Sequence, residues 1–141
     1  AGLTKVTVLH NDASVYREKF AGADRVLCDV PCSGLGIIAK KPDIRYKTMD
    51  GVEQLHGLQA KILATAARYV KQGGRIVYST CTIDPRENQN IVRAFLEQNA
   101  DFRLVSPPFV PEGSRVEDGM LTLLPGKAGP DGFFIAIMEK L

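Results

Sequence analysis

The segment Arg25–Val30 constrains the fold more than any other part of this chain. Its apolar run, Val26–Cys28 and Val30, is interrupted only by Asp29 and lacks the strict alternation that marks a strand with one solvent-facing side. A short apolar run of this kind is typical of a parallel strand that is covered on both faces. We therefore expect a parallel sheet with helices packed against it.

The rest of the chain alternates between helix and strand patterns. Apolar residues recur at helical spacing from Val52 to Val70, and Gly73-Gly74 is expected to end that helix. The segment Asp84–Glu87 has the pattern of a helix start, with a capping carboxylate, Pro at the first helical position and Glu at the third. Apolar and β-branched runs predict further strands at Lys5–Leu9, Arg75–Ser79, Phe102–Val105, Met120–Leu124 and Phe133–Met138.

This alternation predicts a single α/β domain over residues 1–141, built on a mostly parallel sheet. The last two strands are joined by the short, turn-rich link Pro125–Gly132. Because so short a link cannot make a crossover, these strands should be antiparallel neighbours at the C-terminal edge of the sheet.

Composition narrows the functional classes. The net charge is only +2, so any nucleic-acid-binding surface must be local. No apolar run is long enough to span a membrane, and the N-terminus does not have the pattern of a signal peptide, so we expect a soluble, cytoplasmic protein. The three cysteines form no CxxC motif and lie far in sequence from both histidines, which argues against a disulfide framework or a structural zinc.

Polar residues follow three of the predicted strands. Asp12 comes after the first, Asp29 and Cys32 come at the end of the second, and Thr80-Cys81 follows the third. In open parallel sheets, ligands bind beyond the carboxyl ends of the strands. The three clusters should therefore converge on one edge of the sheet, whereas Cys28 lies inside an apolar run and is expected in the core.

The motifs Asp29–Gly34 and Tyr78–Thr82 together resemble those of the RNA cytosine-5 methyltransferases of the Sun/Fmu and NSUN type. A prolyl-cysteine motif and a threonyl-cysteine motif, each after its own strand, form a specific combination. Weaker matches follow the family's order across nearly the whole chain, at Asn11–Ala13, Lys41–Arg45, Leu58-Gln59, Gly73-Gly74, Pro85–Asn88 and Asp131–Phe134.

The resemblance implies methyl transfer from S-adenosylmethionine to C5 of cytosine in RNA, with ribosomal RNA as the expected substrate. It implies that Cys81 forms a covalent adduct at C6, which makes C5 nucleophilic. It further implies that Cys32 assists breakdown of the adduct, and that Asp29 lies near both the cofactor and the polar edge of the base. The target base must be unstacked to be reached, which favours loops and single strands.

The resemblance also implies binding residues. Asp12, Asp29 and Pro31 are expected to contact the cofactor, with Asp12 beside the adenine. The basic segment that follows the prolyl-cysteine motif is expected to hold RNA phosphates through Lys40, Lys41 and Arg45. No metal is expected.

Each of these residues also has a simpler interpretation. Cys81 can be an ordinary cysteine at a strand end, and Cys32 a cysteine in a turn. Asp29 can accept hydrogen bonds from the amides of the following turn, and Asp12 can cap the segment that begins at Ala13. The basic segment can be a solvated charged loop.

Two further interpretations concern residues near the motifs. Glu87 and Asn88 are most simply explained as part of a helix start. Tyr78 and Phe134 are expected to pack in the core rather than to stack on a base.

The chain also departs from the family. The family's glycine-rich cofactor loop and its first two strands do not precede Lys5–Leu9, which matches the family's third strand. We therefore expect Lys5–Leu9 to pair with Arg25–Val30, to pair with another chain, or to stay unpaired, and an exposed strand edge favours self-association.

The same departure affects the expected activity. The isolated chain should be weakly active or inactive without that N-terminal half. The alternatives are a catalytically silent module that binds RNA or a partner, and a DNA cytosine methyltransferase, although the latter class has no threonyl-cysteine motif.

Overall fold

The computed structural model describes residues 4–37, 49–126 and 131–141. Single 3-10 turns lie at Glu18–Phe20 and Leu35–Ile37. The helices and strands are, in chain order, β1 (Ala23–Asp29), α1 (Met49–Tyr69), β2 (Val70–Thr80), α2 (Gln89–Gln98), β3 (Phe102–Val105), β4 (Arg115–Glu117), β5 (Met120–Leu123) and β6 (Phe133–Lys140).

The strands form one mixed sheet. Its order is β1-β2-β6-β5-β4, and β3 also pairs with β6. Strands β1 and β2 are parallel, whereas β6 is antiparallel to β2, β3 and β5. The predicted α/β class, the antiparallel C-terminal edge and the pairing of the last two strands are confirmed.

The two helices and one face of the sheet enclose the core. Alternate residues of β2, Ile76 and Tyr78, lie in register with Met138 and Ala136 of β6, and all four are buried. From the helices, an apolar stripe packs on this face; it includes Ile62, Leu63, Ala66, Ile91, Val92 and Phe95. The predictions that Cys28, Tyr78 and Phe134 are core residues are confirmed.

The expectation that the strand Arg25–Val30 is covered on both faces is wrong for the described part of the chain. Leu27 points away from the helices and is 71% exposed, whereas its neighbour Cys28 is buried. In the described part of the chain, one face of this strand is therefore covered by the helices and the other face is exposed to solvent.

Three predicted boundaries are also corrected. Lys5–Leu9 is not a strand and pairs with none of the described strands, so the unpaired alternative is the one observed. Val8 is 89% exposed there, because an apolar run becomes a strand only beside a partner. Helix α1 ends at Tyr69 rather than at Gly73-Gly74, since buried Val70 already pairs with Ala23 of β1. Helix α2 begins at Gln89, and the segment 85–88 is a turn.

Among the described residues, no helix is both long enough and apolar enough to cross a membrane.

Candidate active site

Two cysteines meet at the carboxyl ends of the parallel strands. Cys32 follows β1 and Cys81 follows β2, and their Sγ atoms lie 2.8 Å apart. The backbone N–H of Cys81 also points to the Cys32 sulfur, at 3.3 Å. Both thiols are free and partly exposed. The short distance between them shows that the two motifs converge on one edge of the sheet, as predicted.

The Cys32 thiol is held in its neutral form. Burial and, to a smaller extent, the hydrogen bond with Cys81 raise the pKa of Cys32 to about 12. A thiol with so high a pKa keeps its proton at neutral pH and can donate it. The site therefore places a proton donor against the sulfur of Cys81.

The loops that carry the cysteines are joined through two glycines. The Gly36 N–H donates to the Cys81 carbonyl at 3.0 Å, and the Gly132 N–H donates to the Gly36 carbonyl at 2.8 Å. A Cβ on Gly36 would collide with the backbone of Gly132, and one on Gly132 would lie 2.7 Å from the Gly36 Cα. The segment before β6 thus approaches the cysteine loops at a distance that only glycine allows.

Side-chain hydroxyls add a second link between the motifs. The Ser33 and Thr82 hydroxyls lie 2.9 Å apart, and the Thr82 hydroxyl also accepts the Asp84 N–H. The Thr80 hydroxyl donates to the Asn88 side-chain carbonyl, whose amide nitrogen donates to the Thr82 carbonyl at 3.0 Å. These groups are buried, which makes the strand end beside Cys81 a hydrogen-bonded unit rather than a mobile loop.

The side chains of Glu87 and Asn88 do not cap a helix: Asn88 occupies the N-cap position of α2 without a side-chain cap, and Glu87 lies in the turn before it. Both are buried, Asn88 beside Cys81 and Glu87 beneath the Cys32 loop, where its Oε2 accepts the Ser33 N–H. Gln59 of α1 is buried with them and donates to the same Glu87 oxygen. Sequence reasoning missed this group, although a signal existed: Gln59 occupies a core-facing position of the α1 stripe, where a polar side chain needs a buried partner.

Asp84 shapes the turn that precedes α2. Its carboxylate accepts the Arg86 N–H at 2.9 Å and three hydrogen bonds from the Arg86 guanidinium, two of them from Nε. Those guanidinium bonds hold the pKa of the Asp84 carboxyl below its ordinary value, against the opposing effect of burial. The predicted capping carboxylate is therefore present, but it caps a turn and not a helix.

A cleft of about 240 Å³ lies between β1, α1 and the segment around Asn11, and its lining reaches Pro31, the residue before Cys32. Asp29 and Pro31 line it together with apolar side chains of α1. Asp29 is exposed, and its Oδ1 accepts the Ser79 hydroxyl at 3.1 Å rather than an amide of the following turn.

Asp12 lies between two residues that line this cleft, Asn11 and Ala13. Its Oδ1 accepts the N–H and the hydroxyl of Ser14, which lowers the pKa of the Asp12 carboxyl. The capping role considered for Asp12 is therefore observed, while its role toward a cofactor stays a prediction.

The cleft suits an adenosyl sulfonium cofactor. An acidic group stands at the strand end and apolar walls flank it, a combination that can accept both a ribose or amino group and a hydrophobic ring. Within the described ranges, no three His, Cys, Asp or Glu side chains cluster in the manner of a metal site. Lys40, Lys41 and Arg45, predicted to contact RNA, lie outside the described residues.

Comparison with known proteins relates this site to a family. The family model described as 16S rRNA methyltransferase RsmB/F matches residues 1–139. The "Probable ribosomal RNA small subunit methyltransferase B" of Bacillus subtilis is 43% identical over 99% of this chain and 33% of its own length. The ribosomal RNA small subunit methyltransferase B of Vibrio cholerae is 40% identical over 94% of this chain and 30% of its own length.

Solved structures agree with the sequence matches. NSun6 from Pyrococcus horikoshii, solved with SFG, has a TM-score of 0.82 and 26% identity over 99% of this chain and 35% of that chain. The chain thus spans about a third of the length of the relatives it matches.

Proposed function

The chain belongs to the RsmB/F family of 16S rRNA methyltransferases, and from that premise we propose that it carries the reacting cysteines for methylation of cytosine C5 in ribosomal RNA. The observation that carries the proposal is the 2.8 Å contact between the sulfur atoms of Cys32 and Cys81. Two free cysteines at the ends of adjacent parallel strands are the arrangement that a covalent mechanism with assisted release needs.

Cys81 is the proposed nucleophile. Its thiolate adds to C6 of the cytosine and forms an S–C bond, and the electron pair of the C5–C6 double bond becomes available at C5. After methylation at C5, a base removes the C5 proton and the S–C6 bond breaks, which restores the double bond. The base is unstacked for this reaction because neither carbon can be reached inside a helix.

Cys32 is the proposed proton donor for release. Its raised pKa keeps the thiol protonated while Cys81 is bound to the base. When the S–C6 bond breaks, Cys32 can pass its proton to the departing Cys81 sulfur across the 2.8 Å contact. This assignment gives the two cysteines different tasks, so their variants should fail at different steps.

S-adenosylmethionine, the cofactor of this family, supplies the methyl group when bound. We propose that Asp29 and Pro31 hold it in the cleft, with Asp12 beside them. The fold similarity to NSun6 solved with SFG, an analogue of this cofactor, supports the assignment. The cleft is smaller than the roughly 300–1,000 Å³ of most ligand sites, so we expect the described residues to supply only part of the cofactor contacts.

The basic segment is the proposed RNA contact. Lys40, Lys41 and Arg45 lie in sequence between the Cys32 loop and α1, and their charges suit phosphate oxygens. Replacing all three with Gln should weaken binding of a ribosomal RNA fragment and reduce its salt dependence. Unchanged binding at low and high salt would assign them to the solvated surface instead.

The test of the reaction uses RNA that contains 5-fluorocytosine. Fluorine at C5 cannot leave as a proton, so the adduct persists after methylation. We would assay a chimera in which this chain replaces the matching third of the Bacillus subtilis relative. With S-adenosylmethionine present, we expect a covalent protein–RNA adduct with the parent sequence and with Cys32→Ala, and none with Cys81→Ala.

The outcomes of this test are distinct. On unmodified RNA, Cys32→Ala should accumulate the adduct while turnover falls. An adduct lost with Cys32→Ala and retained with Cys81→Ala would reverse the assignment, and adducts on DNA alone would reject RNA as the substrate.

A second candidate function is a catalytically silent module that binds RNA or a partner. The small cleft favours it for the isolated chain, because few cofactor contacts are present. Titration of S-adenosylmethionine, followed by NMR, separates the two. Saturable binding centred on Asp29 supports an active site in this chain, and no binding at millimolar cofactor supports the silent module.

We also propose that the isolated chain self-associates through β1. No described strand pairs with its outer edge, and Leu27 leaves an apolar side chain in solvent. Light scattering should show concentration-dependent dimers that Leu27→Lys weakens. A monomer at all concentrations would reject this proposal.

A further inference from the structure

The backbone on both sides of Cys32 is held by two buried side chains. Glu87 Oε2 accepts the Ser33 N–H at 2.9 Å. Gln59 Nε2 donates to the Pro31 carbonyl and to the same Glu87 oxygen, each at 2.9 Å. The peptide groups before and after the cysteine are thus tied to one hydrogen-bonded pair.

This pair is anchored in separate parts of the fold. Gln59 belongs to α1, and Glu87 belongs to the turn before α2. The Tyr78 hydroxyl, from the C-terminal part of β2, donates to the Glu87 backbone carbonyl at 2.7 Å. Since a helix, a turn and a strand all fix the pair, Cys32 is positioned relative to the same β2 that ends beside Cys81.

Burying Gln59 and Glu87 together is energetically unfavourable compared with burying apolar side chains. Both side chains are fully buried, and one oxygen of each, Gln59 Oε1 and Glu87 Oε1, has no hydrogen-bond partner among the described residues. Within the same residues, no cation forms an ion pair with Glu87. Buried polar oxygens without hydrogen bonds cost free energy that an apolar pair of similar size would not, so packing alone does not account for this pair.

We propose that Gln59 and Glu87 are positioning residues that hold the Cys32 sulfur against Cys81. They touch neither the reacting sulfur atoms nor the cleft; they act through the peptides that flank Cys32. Their importance for methyl transfer rests on the proposed function, but the geometric effect does not.

The geometry also predicts which property of Glu87 matters. Both hydrogen bonds to the Glu87 side chain end on the same oxygen, Oε2. A glutamine at this position can present its carbonyl oxygen there, so Glu87→Gln should keep the arrangement. Glu87→Ala removes the acceptor, and Gln59→Met removes the donor to Pro31 while conserving side-chain length.

The test follows formation of a Cys32–Cys81 disulfide in the chain itself, with no RNA or cofactor. Diamide oxidises the two thiols to a disulfide; its N=N bond takes up the two electrons and two protons and becomes a hydrazine. Because the thiols must approach each other, the rate reports how well Cys32 is aligned. Gln54→Met, a change of an exposed glutamine on the same helix, is the matched control.

We expect Gln59→Met and Glu87→Ala to slow the oxidation by about tenfold, because each removes one of the two buried hydrogen bonds to the peptides that flank Cys32. Glu87→Gln and Gln54→Met should stay within about twofold of the parent chain. The pH profile of Cys32 alkylation should shift toward that of a free thiol in the two slow variants only, while alkylation of buried Cys28 stays unchanged.

Two results would overturn the proposal. The first is oxidation at the parent rate in folded Gln59→Met and Glu87→Ala. The second is slowed oxidation that is accompanied by faster alkylation of Cys28, which would show that the whole core has loosened and not only the Cys32 loop. If the chimera fails to transfer methyl groups while the two variants are slowed in oxidation as expected, the proposed function is rejected and this inference stands.

Discussion

The Oγ of Ser33 and the Oγ1 of Thr82 lie 2.9 Å apart, so the residue after Cys32 is bonded to the residue after Cys81. Ser33→Ala breaks this link, and we expect it to lower the free energy of unfolding by about 1 kcal/mol. Urea denaturation measures the change, with exposed Ser106→Ala as the control.

A double-mutant cycle with Thr82→Val isolates the pair. A coupling energy indistinguishable from zero would show that the two hydroxyls do not stabilise each other.

Gly36 and Gly57 should respond to alanine in opposite directions. A Cβ at Gly36 collides with the Gly132 backbone, so Gly36→Ala should destabilise the fold by about 2–3 kcal/mol. Gly57 lies in α1 with open space around it, so Gly57→Ala should stabilise the fold by about 0.5–1 kcal/mol. Thermal unfolding of both variants provides the measurement, and equal shifts would contradict the close approach of the two loops.

The Asp84 carboxyl should contribute an acid-sensitive part of the stability. Its pKa is lowered in the folded state, mainly by the guanidinium of Arg86, so its contribution is present above the unfolded pKa of about 4. The contribution is lost as the pH falls through the lower, folded pKa.

Asp84→Asn should therefore cost about 1 kcal/mol at pH 7, and the difference from the parent chain should shrink as the pH falls below about 4. Urea titrations across this range test the sign, with Glu97→Gln as an exposed control. A difference that grows toward low pH would contradict it.

Asp29 should matter for the cofactor and not for folding. Asp29→Asn can still accept the Ser79 hydroxyl but carries no charge toward the cleft. In the chimera, we expect affinity for S-adenosylmethionine to fall by about tenfold at unchanged thermal stability. Asp24→Asn, near the opposite end of β1 and paired with Lys71, is the matched control for calorimetry. Equal affinities in both variants would remove Asp29 from the cofactor site.

The convergence of the cysteines could be predicted because it follows from topology. Apolar runs identify β1 and β2, and the carboxyl ends of parallel neighbours share an edge. No contact between Cys32 and Cys81 had to be known for that inference. The antiparallel pairing of β5 and β6 followed in the same way from the length of the link between them.

The roles of Gln59 and Glu87 could not be predicted from local pattern. Pro85 and Glu87 satisfy the statistics of a helix start, yet the carboxylate bonds to Ser33, which is distant in sequence. Hydrogen bonds between residues that are distant in sequence produce no periodic pattern in the sequence. The strand predicted at Lys5–Leu9 is not observed for a related reason. Strand propensity shows only that a segment can form a strand when a partner strand lies beside it.

Strand β6 lies between β2 on one side and β3 and β5 on the other, although all three precede it in the chain. The sheet therefore cannot form hairpin by hairpin along the chain, because β2 and β3 both pair with β6 and not with the strand that follows each of them. Pairing between such distant segments slows folding, because loop-closure entropy is lost before contacts form. The Gly132 N–H that donates to the Gly36 carbonyl lies directly before β6. We infer that this link between the cysteine loops and the rest of the sheet forms only once β6 has inserted.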